Sequence, residues 1–300
     1  MSTILQNNTI EDLLFYGKNI LSECGIRESK IDAELLLAYV LNCNRIKLYT
    51  HSEEYINSVK EKKYRNLILR RAKGIPLNYL IYSKEFMGLE FKVFPGVFIP
   101  RPETEHVVEE TINIITNLEP QLYNNLTILD LCTGTGNIAI SLSYFLKQKN
   151  INPKIYATDI SELSIKTAKF NSKRYMLNNI TFFQGDLFIP VDNLKLKNKI
   201  NIIVSNPPYI PSDEISKLQK EILYEPRIAL DGGKTGLEYF YRIASIGKNY
   251  ISDKGFIVVE IGYNQKEEVL DIFRIEGYKI INIIKDYSEI DRVIVAQWIK

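Results

Sequence analysis

The tetrapeptide Asn206-Pro207-Pro208-Tyr209 has the residue types needed to hold a nitrogen atom still. The Asn206 side-chain oxygen can accept one hydrogen of a primary amide, and the backbone carbonyl of Pro207 can accept the other. The prolines fix φ and carry no N–H, so the carbonyl direction is rigid and no donor competes for the acceptors. The Tyr209 ring offers a face for a planar amide or base. An amide nitrogen is a poor nucleophile because its lone pair is delocalised into the carbonyl. Two acceptors on its hydrogens orient it and favour tetrahedral character as it attacks, so orientation and electrostatic preorganisation are the available catalytic terms. Asn206, Pro207 and Tyr209 are the expected catalytic residues, and all four residues through Pro208 are expected to touch substrate. No strong base is required, since an alkylated amide cation sheds its proton readily to water. Standing alone, such a tetrapeptide is as often an ordinary strand-exit turn.

Its weight comes from a second signal upstream. The apolar run Ile128-Leu129-Asp130-Leu131 leads into Cys132-Thr133-Gly134-Thr135-Gly136 and then into Asn137-Ile138-Ala139-Ile140. This is strand, glycine turn and helix. Glycines let a backbone approach a ligand, and a helix N-terminus offers free N–H groups. The next strand ends at Asp159, which can accept from ribose hydroxyls or cap the helix beginning near Ser161. A third ends at Gly185-Asp186-Leu187, where Asp186 can accept from an adenine amino group and Leu187 can pack on the ring; a plain strand-end turn is the alternative. Acidic residues at three successive strand ends, Asp130, Asp159 and Asp186, point together to a nucleotide-like cofactor. A dinucleotide loop must serve a pyrophosphate. S-adenosylmethionine has none, and its sulfonium and amine suit an acidic neighbour such as Asp130. The expected cofactor contacts are Asp130, Cys132, Thr133, Gly134, Thr135, Gly136, Asp159, Asp186, Leu187 and Asn206.

Alternating strands and helices after Arg101 must position these residues. Strands are expected at 126–131, 154–159, 179–183, 201–205 and 256–261, followed by 278–285 and 291–298 with no helix between them. That pattern implies an α/β fold, a parallel sheet covered by helices on both faces, with an antiparallel pair at its edge. Phe86, Met87, Leu89, Phe91, Val93 and Phe94, with Gly88 and Pro95-Gly96, suggest a short hairpin over 85–100 joining two domains. Residues 1–84 read as helical. Thr9 with Asp12 forms a capping pair for a helix stopped by Gly25; Ser29 starts a second with Leu35, Leu36, Tyr39 and Val40 inward. Thr50 with Glu53 is expected to open a long charged helix through Lys60-Glu61-Lys62-Lys63 to Arg70-Arg71, stopped near Gly74-Ile75-Pro76. The charge run is a solvated helix face or a surface for a macromolecular partner. Residues 101–300 form the expected catalytic domain.

At 45% hydrophobic the chain can build a substantial core, and 38 basic against 36 acidic residues give a net charge of +2, no strong nucleic-acid footprint. The cysteines, Cys24, Cys43 and Cys132, are scattered, and the histidines are His51 and His106, so a disulfide framework, a metal site or a histidine-based triad is not expected. No apolar run reaches membrane-spanning length and no leader pattern opens the chain, which makes a cytoplasmic protein without a membrane partner the default.

The chain resembles the HemK-like protein-glutamine N5-methyltransferases of release factors. The similarity rests on Phe98-Ile99-Pro100-Arg101-Pro102-Glu103-Thr104-Glu105, Asp130 to Gly136, Asn206 to Tyr209, Tyr224-Glu225-Pro226-Arg227-Ile228-Ala229-Leu230-Asp231-Gly232-Gly233, Gly236-Leu237 and Glu260-Ile261-Gly262-Tyr263-Asn264-Gln265. It implies a class I, Rossmann-like methyltransferase fold with a seven-stranded sheet behind a small helical substrate-recognition domain. It also implies S-adenosylmethionine as cofactor and the glutamine of the Gly-Gly-Gln loop in bacterial class 1 release factors as substrate. By that resemblance Cys132 to Gly136, Asp159, Leu187 and Asn206 touch the cofactor, and Asn206 to Tyr209 hold the glutamine. Two positions depart from the pattern: Cys132 stands where Gly is frequent, and Asn201 where an acidic residue is. A monomer is expected, with no direct nucleic-acid substrate. The competing functions are a glutamine methyltransferase of a ribosomal protein, an adenine or guanine N-methyltransferase of nucleic acid, which faces the same exocyclic-amine problem, and a cofactor-binding module that docks on translation factors without turnover.

Overall fold

In the computed structural model, which describes residues 8–120 and 125–300, the chain divides into two units. One comprises Met1–Ser83 with Gln219–Tyr224, the other Lys84–Leu218 with Glu225–Lys300. The first is helical. Helix α1 (Ile10–Glu23) opens on a capping box in which the Thr9 hydroxyl accepts from the Asp12 N–H and the Asp12 carboxylate accepts from the Thr9 N–H. Helix α2 (Ser29–Leu41) buries Ala33, Leu36, Leu37 and Val40. Tyr39, expected inward, is exposed and lies under the Lys63 ammonium at 5.1 Å.

Thr50 does not open the long helix. It ends the short α3 (Arg45–Thr50), which Asn44 caps, and its hydroxyl turns back to the carbonyls of Ile46 and Lys47. The long helix, α4 (Ser58–Ala72), starts later because Tyr55 is extended and bridged to Thr9; Asn57 supplies the cap, accepting from the Lys60 N–H. Helix α5 (Leu77–Ile81) completes the unit around Leu13, Leu21, Leu36, Leu37, Leu48, Tyr64 and Ile68. Buried Arg71 needs partners for its charge. Its guanidinium meets Asp32 at 2.6 Å, the Ile75 carbonyl and Glu221, and this holds the distant segment 219–224 in the helical unit.

The second unit opens with the hairpin β1 (Lys84–Phe86) and β2 (Leu89–Phe91). Met87 and Gly88 sit at φ 54° and 70°, the double left-handed turn that matches strand twist. A 3-10 turn at Pro102–Thr104 then leads into α6 (Glu105–Thr116). The doubly wound portion follows as β3 (Thr127–Leu131), α7 (Asn137–Gln148), β4 (Lys154–Asp159), α8 (Glu162–Arg174), β5 (Ile180–Gln184), β6 (Ile200–Ser205), α9 (Glu238–Gly247), β7 (Ile251–Glu260), α10 (Lys266–Ile275), β8 (Lys279–Lys285) and β9 (Asp291–Gln297). A 3-10 turn at Ile189–Leu194, not an α-helix, connects β5 to β6.

The sheet order is β5-β4-β3-β6-β7-β9-β8, parallel from β5 to β7, with β9 antiparallel to both β7 and β8. Alternate residues serve opposite faces. Ile128, Ile155, Ala157, Ile202 and Val204 pack with Val107, Leu142 and Ile165 on one side. Leu129, Leu131, Ile203, Ile257 and Val259 pack with Phe240, Ile243 and Phe273 on the other. The direction of winding reverses between β3 and β6, and in such sheets the crevice for a ligand opens beyond the carboxyl ends at that reversal.

Candidate active site

Leu131, the last residue of β3, pairs with Thr158 of β4 and with Ser205 of β6. The first residues off the two strands, Cys132 and Asn206, therefore leave the sheet side by side, about one strand spacing (~4.8 Å) apart. The glycine turn and the Asn-Pro-Pro-Tyr turn share one rim.

The turn after β3 is tied down from beneath. The Thr133 hydroxyl donates to Asp130 Oδ2 at 2.5 Å, and the Ala139 N–H donates to the same oxygen at 3.3 Å. Asp130 is fully buried, its Oδ1 has no hydrogen-bond partner, and burial pushes its carboxyl up to about 7 against those two bonds. Its side chain thus lies under the loop, and direct contact with a cation gives way to shaping the loop. Cys132 adopts φ 59°, the left-handed region usually left to glycine. Burial, with Asp159 and Asp130 nearby, pushes its thiol up, so it stays neutral and is no nucleophile. Thr135 bonds Asn137 at 3.1 Å, and Gly136 occupies the cap position of α7.

Asp159 stands half-buried at the end of β4, where Gly134 N–H and Ser161 N–H donate to its two oxygens at 2.8 Å each. Ser161, in turn, caps α8. Each oxygen keeps a lone pair for a further donor. A Cβ placed on Gly134, at φ 55°, would meet nothing within 4 Å, so the loop is open on that side. An open backbone face beside a carboxylate with spare acceptors fits the hydroxyl-rich, cationic group expected from the sequence. Asp186 instead holds an ion pair with Arg242. Leu187, at φ 45°, is 4% exposed and packs with Phe188 and Val191 in the core, so it presents no open face for a ring.

The Asn-Pro-Pro-Tyr turn is held by residues far away in the chain. Asn206 Nδ2 donates to Thr104 Oγ1 at 2.9 Å, Thr104 Oγ1 donates to Glu260 Oε2 at 2.5 Å, and the Tyr209 hydroxyl donates to Glu260 Oε1 at 3.0 Å. Glu260 ends β7 and is buried. The Tyr209 carbonyl accepts from Gln265 Nε2 at 2.9 Å, and Gln265 Oε1 accepts from the Gly262 N–H at 2.9 Å. A Cβ on Gly236, which has φ 76°, would lie 2.3 Å from the Tyr209 carbonyl oxygen, so only glycine admits the turn there. Pro207 and Pro208 are buried, and the Tyr209 ring is half-buried against the core with its hydroxyl engaged. Glu225 anchors the segment leading to Thr104, accepting from the Ile99 N–H at 3.0 Å and pairing with Arg101.

Thr104, Glu225, Gly236, Glu260 and Gln265 were visible in the sequence only within segments of resemblance, without roles. Each is separated from its partner by tens of residues or more, so no local pattern could announce the contact. Asn201 lies at the other end of β6 from the site, where its Oδ1 accepts from the Thr127 N–H at 2.8 Å and stitches β3 to β6.

A doubly wound sheet of this order, with an open glycine turn at its reversal point and a proline-rigid turn beside it, is that of an S-adenosylmethionine-dependent methyltransferase. Residues 12–81 match the PrmC N-terminal domain, and residues 122–277 match a methyltransferase domain. A release factor glutamine methyltransferase of Clostridium acetobutylicum is 37% identical over 290 residues, covering 96% of this chain and 98% of the relative. One from Thermodesulfovibrio yellowstonii is 39% identical over 271 residues, covering 89% and 91%. The chain belongs to the release factor glutamine methyltransferase family.

Proposed function

We propose that this protein transfers a methyl group from S-adenosylmethionine to the side-chain amide nitrogen of the glutamine in the Gly-Gly-Gln motif of class 1 peptide chain release factors. The observation that carries this is the Leu131–Ser205 register, which sets the Asn-Pro-Pro-Tyr turn beside the glycine loop. The cofactor supplies an electrophilic methyl on a cationic sulfur. Asn206 Oδ1 and the Pro207 carbonyl each accept one hydrogen of the glutamine amide and point its nitrogen toward the loop. Formation of the nitrogen–carbon bond would break the methyl–sulfur bond and leave a neutral thioether, and the resulting N-methylated amide cation, a strong acid, would release one N–H proton to water. Asp159 would accept from the ribose hydroxyls of the bound cofactor, and the backbone of residues 132–136 would line its site.

The helical unit engages the release factor; the match of residues 12–81 to the PrmC N-terminal domain supports this. Its exposed groove along α4, lined by Tyr39, Lys62, Lys63 and Arg70, is a suitable surface for a protein partner. The enzyme acts as a monomer in the cytoplasm on protein and not on nucleic acid. Among the described residues no helix is long and apolar enough to cross a membrane, and the near-neutral net charge of +2 gives little general attraction to nucleic acid.

The test is incubation with purified release factor and methyl-labelled cofactor, followed by peptide mass spectrometry. Label on one glutamine is expected, and label on no release factor overturns the function. Asn206→Ala should lower turnover by about 10³-fold, the scale of losing a key transition-state contact. Cofactor binding should survive in reduced form, and equal turnover in the two proteins contradicts the role of Asn206.

A further inference from the structure

We propose that Glu260 is a positioning residue that, through the Thr104 hydroxyl, fixes which end of the Asn206 carboxamide faces the substrate. The inference rests on the function above, in which Asn206 accepts from the glutamine amide. Thr104 has one hydroxyl proton. An ionised carboxylate only accepts, so the 2.5 Å contact to Glu260 Oε2 uses that proton. What remains on Thr104 Oγ1 is lone pairs. The Asn206 atom facing it at 2.9 Å must therefore be the donor, Nδ2, and Oδ1 is turned the other way.

A carboxamide has nearly the same shape when flipped, so packing alone cannot choose between its ends. Flipped, Asn206 would aim its NH2 at the NH2 of the glutamine, donor against donor. The second carboxylate oxygen accepts from Tyr209 at 3.0 Å, so one buried group steadies both ends of the turn. The relay joins three segments that meet only in the folded unit: Thr104 before α6, Glu260 at the end of β7, and the turn after β6.

The relay orients Asn206 only while Glu260 is ionised. Protonated at Oε2, it can donate to Thr104; the Thr104 proton is then free to point at Asn206, and the flipped carboxamide is as well bonded as the productive one. Burial pushes the Glu260 carboxyl up to about 7, against the bonds from Thr104 and Tyr209. Of the charged groups facing it, Glu103 opposes ionisation and Arg292 favours it. Arg292 is itself paired with Asp286. Turnover is therefore expected to rise with pH through neutrality. Stability runs the other way. The folded value lies above the ordinary one, so the contribution of Glu260 to stability is present below its unfolded value, 4.5, and is lost as pH rises through about 7.

The experiment compares wild type, Glu260→Gln, Thr104→Val and Thr104→Ser for methyl transfer to release factor between about pH 6 and 9, with cofactor affinity by calorimetry and melting temperature alongside. Glu260→Gln should lose the inflection and sit about 10–100-fold below the wild-type plateau in kcat, with the cofactor dissociation constant within about threefold. It should melt no lower than wild type at about pH 8, because it removes a buried charge and keeps both hydroxyls bonded. Thr104→Val should fall similarly in kcat, and Thr104→Ser should return to within about threefold of wild type.

A merely structural stitch would lower the melting temperature and leave the kcat of the folded enzyme and its pH profile unchanged. That result in Glu260→Gln, or full turnover in Thr104→Val, overturns the proposal. The two levels separate cleanly. No labelled glutamine with wild type removes the function itself. Labelling by wild type, loss in Asn206→Ala, and normal turnover in Glu260→Gln and Thr104→Val remove only the positioning role.

Discussion

The glycine loop and the Asn-Pro-Pro-Tyr turn leave neighbouring strands of one sheet, yet they are held in opposite ways. The loop is secured by its own neighbourhood. Asp130 reaches Thr133 and Ala139, three and nine residues on, the N–H groups of Thr133 and Gly134 reach Thr158 and Asp159, 25 residues on, and the longest tie, from Asn171 Nδ2 to the Thr135 carbonyl, spans 36. The turn is secured by strangers: Thr104 is 102 residues from Asn206, Glu260 is 51 from Tyr209, and Gln265 is 56. A loop of the first kind is complete once the consecutive elements β3, α7, β4 and α8 have formed. The second exists only when several segments have assembled, so its geometry, and with it turnover, is sensitive to changes that never touch a ligand.

The sharpest way to break this contrast is a methyl group at Gly236. Its Cβ would fall 2.3 Å from the Tyr209 carbonyl, backbone that must move. Gly236→Ala should therefore displace the turn and lower kcat by about 100-fold, the scale of an ångström-sized misplacement. Cofactor affinity should stay within about threefold of wild type. If isothermal calorimetry shows cofactor affinity collapsing in parallel, the two loops are one mechanical unit and the contrast fails. Gly134→Ala is the companion. Space is open there, so its penalty is the left-handed φ alone, about 1–2 kcal/mol.

Asp159→Ala is the mirror image. It removes acceptors from the loop's Gly134 N–H and from the ligand side at once, and leaves every contact of the turn intact. Hydrogen bonds to a charged group contribute about 1.5–3 kcal/mol each, so cofactor affinity should drop about 10–100-fold. At saturating cofactor, kcat should hardly change. Combining Asp159→Ala with Gly236→Ala then sharpens the comparison: independent sites add to within about 0.5 kcal/mol. A larger coupling, read from single-turnover kinetics of the four proteins, would show that the turn leans on the loop.

The same difference explains what could be read from the chain before its structure. The strands, their parallel arrangement with an antiparallel end, the glycine turn and the Thr9 cap are local patterns of period, cap and turn; they are present within a residue or so of the expected positions, except that β7 begins at Ile251 and not at 256. Thr50 with Glu53 has the spacing of a cap but is overruled by the extended pairing of Tyr55 with Thr9. Asp186 and Leu187 stand at the predicted strand end. The ion pair with Arg242, 56 residues away, and the packing of Leu187 against Phe188 and Val191 are tertiary facts that no strand-end pattern contains. Thr104, Gln265 and the return of 219–224 to the helical unit were silent for the same reason. The Asn-Pro-Pro-Tyr turn was legible because its rigidity is local; the residues that aim it were not, because aiming is done from a distance.

The smallest expected effect falls on the residue that begins the local loop. Cys132 holds φ 59°, a conformation that costs a residue with a side chain about 1–2 kcal/mol. Glycine at this position removes that strain but loosens the unfolded chain by about 0.5–1 kcal/mol and gives up the packing of the thiol. Cys132→Gly should therefore gain no more than about 1 kcal/mol, a rise of about 2–4 °C in melting temperature for a domain of this size. Cys132→Val keeps the strain and adds a branched Cβ, so it should melt below wild type. Both variants should keep the turn intact, since Asn206 is held through Thr104 and not through the loop. If Val were as stable as Gly here, the left-handed step would not be strained, and the loop would owe its shape to contacts beyond its own neighbourhood, as the turn does.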